Sequence, residues 1–261
     1  MALEILITND DGYTSNGIAH IANILSKHGN ITILAPKEGQ SGMSAALSLG
    51  RPLRLEHIST ETSKYNTSVR RYSLNGTPAD CIKMAMNEIY LESKPDYIIS
   101  GINHGSNTSV ASVYSGTLGA CAEGTIYGIP SLGLSIDSHN VEVDLSIVEH
   151  YFPIIFNNFI KTPPQKGTYL NINFPDLPIN EVKGIKFTPQ GAGMWVEEFN
   201  KRMDPYGKEY YWMTGKFINK ESDDSIGDFN LVNKGYITIV PLMVNNTNYI
   251  ELNKLSDSWR F

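Results

Sequence analysis

The opening of the chain limits the fold more than any other feature. Leu3–Thr8 (LEILIT) is a short apolar run ending in turn residues, and it reads as a buried strand. Gly17–His28 (GIAHIANILSKH) sets Ile18, Ile21, Ala22, Ile24 and Leu25 at helical spacing, with Gly29 just past the end. Ile31–Ala35 (ITILA) is a second buried strand, closed by Pro36. Strand, helix and strand in about thirty residues make a βαβ unit, and such units build parallel sheets. The alternation recurs. Ala79–Tyr90, Gly116–Tyr127 and Ser146–Ile160 read as helices, and Asp96–Ser100, Ser131–Ile136 and Thr168–Asn173 as strands. The predicted class is α/β, a mostly parallel sheet flanked by helices.

From Thr188 the character changes. Trp195, Phe199, Tyr206, Tyr210, Tyr211, Trp212 and Phe217 crowd among Gly, Pro and charged residues, and helical periodicity is lost. This stretch reads as β-hairpins, then a polar loop at Lys220–Gly227 and a strand at Tyr236–Pro241. The hairpin aromatics form an oligomer contact, a substrate wall or a small satellite core. With 261 residues the chain has room for one core and an appendage, placed here at 1–187 and 188–261.

Charge narrows the partners. The formal net charge is -6, from 21 basic and 27 acidic residues, which disfavours a groove for long nucleic acid. A small anion can still bind through a cation and backbone N–H groups. Cys81 and Cys121, the two cysteines, form no CxxC pair and read as buried free thiols in a reducing compartment. No basic n-region precedes the first apolar run and no stretch approaches the ~20 apolar residues of a membrane span, so the expected location is the cytoplasm.

In an open parallel sheet, ligands bind outside the carboxyl ends of the strands. Asn9-Asp10-Asp11-Gly12 follows the first strand directly. Adjacent carboxylates repel unless a cation or a donor array compensates, so this is either a metal site or an Asx-turn capping the next helix. Pro36–Ser44 (PKEGQSGMS) follows the second strand and offers Ser41 as a hard hydroxyl ligand, or is a plain surface loop. Ser100–Asn107 (SGINHGSN) brings Asn103 and Asn107, whose amides can ligate a hard cation or donate to phosphate. His104 between them is a general-acid candidate or a solvated loop side chain. Ser115, Gly116 and Thr117 open the small-residue helix, as an anion site or an ordinary N-cap. Glu123 reads as a satisfied core carboxylate. Asp, Asp, Ser and Asn are all oxygen donors, which suit Mg²⁺ or Mn²⁺ better than Zn²⁺. Together with an anion-binding helix terminus they point to phosphoryl chemistry. The chain has no P-loop, no GxGxxG after the first strand, no HExxH and no GxSxG.

Taken in order, NDDG, AP-x3-QSG, GTPADC (Gly76–Cys81), SGIN-x-G-x-N, YSGT and Glu123-Gly124 resemble the SurE family, the stationary-phase survival 5′-nucleotidases. TPQ (Thr188–Gln190) and Asp204–Trp212 extend the resemblance over nearly the whole chain. The resemblance implies a Rossmann-like region followed by hairpins that exchange between subunits of a homodimer or homotetramer. It implies a phosphomonoesterase acting on nucleoside 5′-monophosphates, with 3′-monophosphates and short polyphosphate as further substrates. One divalent cation per subunit, Mg²⁺ or Mn²⁺, is carried over to Asp10, Asp11, Ser41 and Asn103, with both aspartates catalytic. Phosphate binding is carried over to Asn107, Ser115, Gly116 and Thr117. Two departures stand out. Val110–Val113 lacks the acid many relatives carry before YSGT, and Leu242 and Met243 stand where a histidine often follows the last strand's proline. The missing acid keeps a second reading open, a non-catalytic nucleotide- or metal-sensing protein on the same fold. A metal-free enzyme with Ser41 or Ser115 as nucleophile lacks a base at recognisable spacing.

Overall fold

The structure, a computed structural model, describes residues 2–260. β1 (Leu3–Thr8), α1 (Asn16–Leu25) and β2 (Gly29–Pro36) form the predicted βαβ unit, with β1 and β2 parallel. β3 (Leu55–Thr62) then runs antiparallel to β4 (Ser68–Leu74), which lies parallel to β2. α2 (Pro78–Met84) passes through a turn of π-helix at Ala85–Ile89 to β5 (Tyr97–His104). One helical turn, α3 (Ala111–Tyr114), precedes α4 (Gly116–Ile126) and β6 (Ser131–Ile136). α5 (Ser146–Lys161) and β7 (Thr168–Phe174) complete the alternation.

Next come β8 (Ile185–Phe187) and a two-tier hairpin arm. At its foot β9 (Gly193–Val196) pairs with β12 (Lys216–Asn219), and at its tip β10 (Phe199–Met203) pairs with β11 (Glu209–Met213). α6 (Asp228–Asn233), β13 (Ile237–Met243) and α7 (Tyr249–Ser258) follow. The main sheet has nine strands in the order β3-β4-β2-β1-β5-β6-β7-β13-β8. Among the described residues no helix is long and apolar enough to cross a membrane.

Alternation along the strands builds two cores. Ile5 and Ile7 of β1 face the layer of α1 and α5, where Ile18, Ile21, Leu25, Phe152 and Phe156 are buried. Leu6 faces the opposite layer with Leu34, Leu74, Ile82 and Ala120. Each leucine, isoleucine or phenylalanine among them contributes about 1.5–3 kcal/mol when fully buried. A central parallel sheet covered on both faces is what continuous apolar strands require. Cys81 and Cys121 are buried free thiols, pushed up by burial, as the sequence implied.

Several elements depart from expectation. The helix expected over Ala79–Tyr90 starts at Pro78 and changes to π-helical winding after Met84. β5 runs on to His104, beyond the expected end at Ser100. β3 and β4 carry no clean apolar signal, because β3 is an edge strand exposed along most of its length. α6 and α7 are short helices in a stretch that shows no helical periodicity in sequence. Beyond Thr188 the chain also returns β13 to the main sheet, where Ile237, Ile239 and Val240 are buried.

Candidate active site

From β1 the chain passes to β2 on one side, while β5 continues the sheet on the other. This is a topological switch point, and the loops at the carboxyl ends of β1, β2 and β5 meet over the resulting crevice. The Asn9–Gly12 turn opens there. Asn9 makes the Asx-turn itself: its Nδ2 donates to Gly12 O at 3.0 Å, and Gly12 N donates to its Oδ1 at 3.2 Å. Ser15 caps α1, accepting from Ile18 N. Turn and cap are thus supplied by Asn9 and Ser15, and Asp10 and Asp11 are not needed for either.

Asp10 is only 4% exposed. Burial pushes its carboxyl up to about 6, a hydrogen bond from Thr117 opposes the rise, and the neighbouring Asp11 adds to it. Thr117 Oγ1 is the donor, to Asp10 Oδ1. Gly116 lies just as close, since a Cβ there would come within 2.9 Å of the Asp10 Cβ. Asp11 meets His104 instead, with Nδ1 and Oδ2 at 3.1 Å. That bond raises the imidazole above an ordinary histidine, against burial. Among the described residues no lysine or arginine pairs with either aspartate.

The other expected residues are brought in by separate devices. Gln40 N donates to Asp10 O at 2.7 Å, which ties the Ser41 loop to the aspartate turn. Ser44 N and Oγ donate to Tyr114 O and Val113 O at 3.0 and 2.8 Å, fixing the far side of that loop. β5 bulges between Ser100 and Asn103, and bulges re-aim side chains. Asn103 Nδ2 donates to Gly105 O at 2.6 Å, so its carbonyl oxygen is the atom left for a ligand. Asn107 is buried, and its Nδ2 donates to Ser135 Oγ at 2.8 Å. Ser115 is the N-cap of α4 and accepts from Leu118 N at 3.1 Å.

Asp10, Ser41, Asn103, Asn107 and Ser115 line one open cavity of about 400 Å³, within the range of small-molecule sites. Asp11, Gly116 and Thr117 do not line it directly but adjoin lining residues, Asp11 touching His104 and Gly116 and Thr117 lying against Asp10. A larger cavity of about 560 Å³, lined by Glu4, Asn30, Arg70 and Tyr90, lies by the amino ends of the strands, away from the crevice. The sequence left His104 as a general acid or a solvated loop residue. It is neither loose nor solvated, with its side chain 8% exposed and bound to Asp11. Trp195, one of the aromatics read as a possible substrate wall, Tyr114 of the YSGT segment and His139 also line the cavity, and no local sequence signal marks His139. Glu123 is the expected core carboxylate, paired with Lys83 Nζ at 2.6 Å.

Two adjacent carboxylates, Asp10 buried and Asp11 partnered by His104 alone, with no lysine or arginine among the described residues beside either, fit a bound cation. Among the described residues no three His, Cys, Asp or Glu side chains group as a metal cage. A cation here would rest on two acids plus the neutral oxygens of Ser41 and Asn103, a donor set suited to a hard ion.

The survival protein SurE family profile matches residues 5–197. The chain belongs to the SurE family. A 5′-nucleotidase SurE of Cytophaga hutchinsonii is 38% identical over 257 residues, covering 98% of this chain and 97% of that protein. The corresponding protein of Christiangramia forsetii is 40% identical, covering 98% of this chain and 96% of its own length. The crystal structure of a SurE protein from Aquifex aeolicus superposes with a TM-score of 0.80 at 32% identity, covering 97% of this chain and 98% of that one. The SurE fold therefore runs through both the parallel sheet and the arm.

Proposed function

We propose that this SurE chain is a 5′-nucleotidase, a phosphomonoesterase that hydrolyses nucleoside 5′-monophosphates to nucleoside and phosphate. The observation that carries the reading is the Asp10-Asp11 pair at the switch-point crevice, Asp10 buried and neither carboxylate paired with a lysine or arginine, in a chain whose relatives, matched over nearly their whole length, are named 5′-nucleotidases. Asp10, Asp11, Ser41 and Asn103 would hold one Mg²⁺ or Mn²⁺ per subunit. Such an ion supplies positive charge beside a phosphate and makes a bound water more acidic.

The chain's own groups do the rest. Asn107 and the N-terminus of α4, at Ser115, Gly116 and Thr117, receive phosphate oxygens. Charge that builds up in the transition state then meets donors already in place. Thr117 also keeps Asp10 in one orientation, and His104 does the same for Asp11. Trp195 and Tyr114 wall the cavity where the nucleoside enters. Either carboxylate can accept the proton of the attacking water, and Asp10→Asn and Asp11→Asn variants separate their roles.

We also place the enzyme in the cytoplasm, a compartment that suits its two free buried thiols. We assign the exposed arm to contacts between copies in a homodimer or homotetramer. The deciding experiment measures phosphate release from AMP, GMP, CMP, UMP and 3′-AMP in EDTA, Mg²⁺ and Mn²⁺. The expected result is cation-dependent release from the 5′-monophosphates. Full activity in EDTA, or binding of AMP without any phosphate release, would overturn the reading.

A further inference from the structure

We propose that Asp228 is a positioning residue for the phosphate-binding segment, acting by locking that segment to the foot of the hairpin arm. The proposal rests on the reading of Asn107 as a phosphate ligand.

Asp228 is fully buried. Its Oδ1 accepts from Gly191 N at 2.8 Å, Phe229 N at 2.8 Å and Ser109 N at 3.0 Å. Its Oδ2 takes a second contact from Ser109 N at 3.1 Å. Ser109 Oγ donates in turn to Gly191 O at 3.0 Å, so two backbone segments close on one carboxylate. One segment holds Asn107, two residues before Ser109. The other leads from Gly191 into β9 and Trp195, which lines the same cavity as Asn107. Asp228 therefore fixes the spacing between two walls of the site without touching the cavity.

The rest of the clamp is on β7. Asn107 N donates to Asn173 Oδ1 at 2.7 Å, and its carbonyl accepts from Asn171 Nδ2 at 2.8 Å. Asn173 Nδ2 donates to Asn171 Oδ1 at 3.0 Å, so these partners brace each other. Ser109 has φ +52°, a conformation non-glycine residues seldom adopt, and it persists because Asp228 and Gly191 both hold it. An ionised carboxylate suits the centre of this clamp because it only accepts. An amide would turn an N–H₂ group toward backbone N–H groups.

The test measures kcat and KM for AMP, and the inhibition constant of inorganic phosphate, in the Mn²⁺-loaded enzyme. Asp228→Asn should raise KM and the phosphate inhibition constant by about tenfold or more, as small misplacements of binding groups do. Phe156→Val, a core change in α5 remote from the loops of the site, is the control for lost stability. It should leave the phosphate constant unchanged even where it lowers the melting temperature as far. Asn107→Ala tests the underlying reading, and combined with Asp228→Asn it should show less than additive loss. If Asp228→Asn fails to fold, Gly191→Ala replaces it, because the added Cβ would lie 2.8 Å from Glu221 Oε2 and 3.1 Å from Asp228 Oδ1, so that both carboxylates must shift from the clamp.

Unchanged phosphate inhibition in Asp228→Asn, or an equal shift in Phe156→Val, overturns the proposal while leaving Asn107 in place. Unchanged inhibition in Asn107→Ala overturns the reading of Asn107 and the route through Asp228 together.

Discussion

Asp10 carries its charge in a place that water barely reaches, with Asp11 beside it and Thr117 as its donor. An unpaired buried charge costs stability, and enzymes tolerate that cost where the charge has work to do. Opposite effects on activity and stability follow for Asp10→Asn. Turnover of AMP should fall at least about 100-fold, roughly 2.7 kcal/mol of barrier. In EDTA the same variant should melt above the wild type, because a neutral amide relieves the repulsion with Asp11. Paired initial-rate and calorimetric measurements check both halves. A variant that is less stable as well as inactive would mean that Asp10 has a structural role instead.

At the scale of elements, α4 and α2 show how loops are pinned around the crevice. Gly119 lies inside α4, where alanine would normally gain about 1 kcal/mol of helix propensity. A Cβ there would sit 2.1 Å from Ser44 O, against backbone that cannot rotate away. Overpacking costs about 1–3 kcal/mol, so the clash outweighs the propensity. Gly119→Ala should lose stability in urea and, by displacing the loop that carries Ser41, lose activity as well. α2 opens with a capping box in which Thr77 and Asp80 exchange bonds, and Asp80 also accepts from Ser48 N at 3.1 Å. Burial raises the Asp80 carboxyl, but the bonds from Thr77 and Ser48 together outweigh it and hold the group below the usual carboxylate range. Asp80 therefore adds stability that is complete above its unfolded-state value and is lost as pH falls through its lower folded-state value. Asp80→Asn should flatten the acid limb of a stability-versus-pH curve below about pH 4. An unchanged limb would mean that the capping box is not ionised in the folded protein. The same elements mark what could be read from sequence. The βαβ opening and the acidic turn were legible because apolar period and turn chemistry are local. β3 was not, since an exposed edge strand such as LEHISTET has no buried face to impose a pattern. His104 was ambiguous because its partner Asp11 lies 93 residues away, and Asp228 was silent because Ser109 is 119 residues away.

In the whole molecule, the switch point puts chemistry at the middle of the sheet, and the arm carries the chain away from it. The foot of the arm is anchored where Trp195, Phe217 and Phe229 pack edge to face or tilted, with centroids 5.7 and 4.6 Å apart. The tip has no such cover. Every residue of β10 and β11 is exposed, and Tyr206 at the turn between them is 89% exposed. A lone two-stranded ribbon is marginal in water, and a run of exposed Phe199, Met203, Tyr211, Trp212 and Met213 makes it more so. A second copy of the chain would cover that surface, which agrees with our assignment of the arm to subunit contacts. Phe199→Glu with Trp212→Glu should therefore lower the mass measured by light scattering to that of a smaller species. The far-UV spectrum should be unchanged, because the nine-stranded sheet does not depend on the tip. An unchanged mass in a folded variant would exclude the tip as the contact between copies.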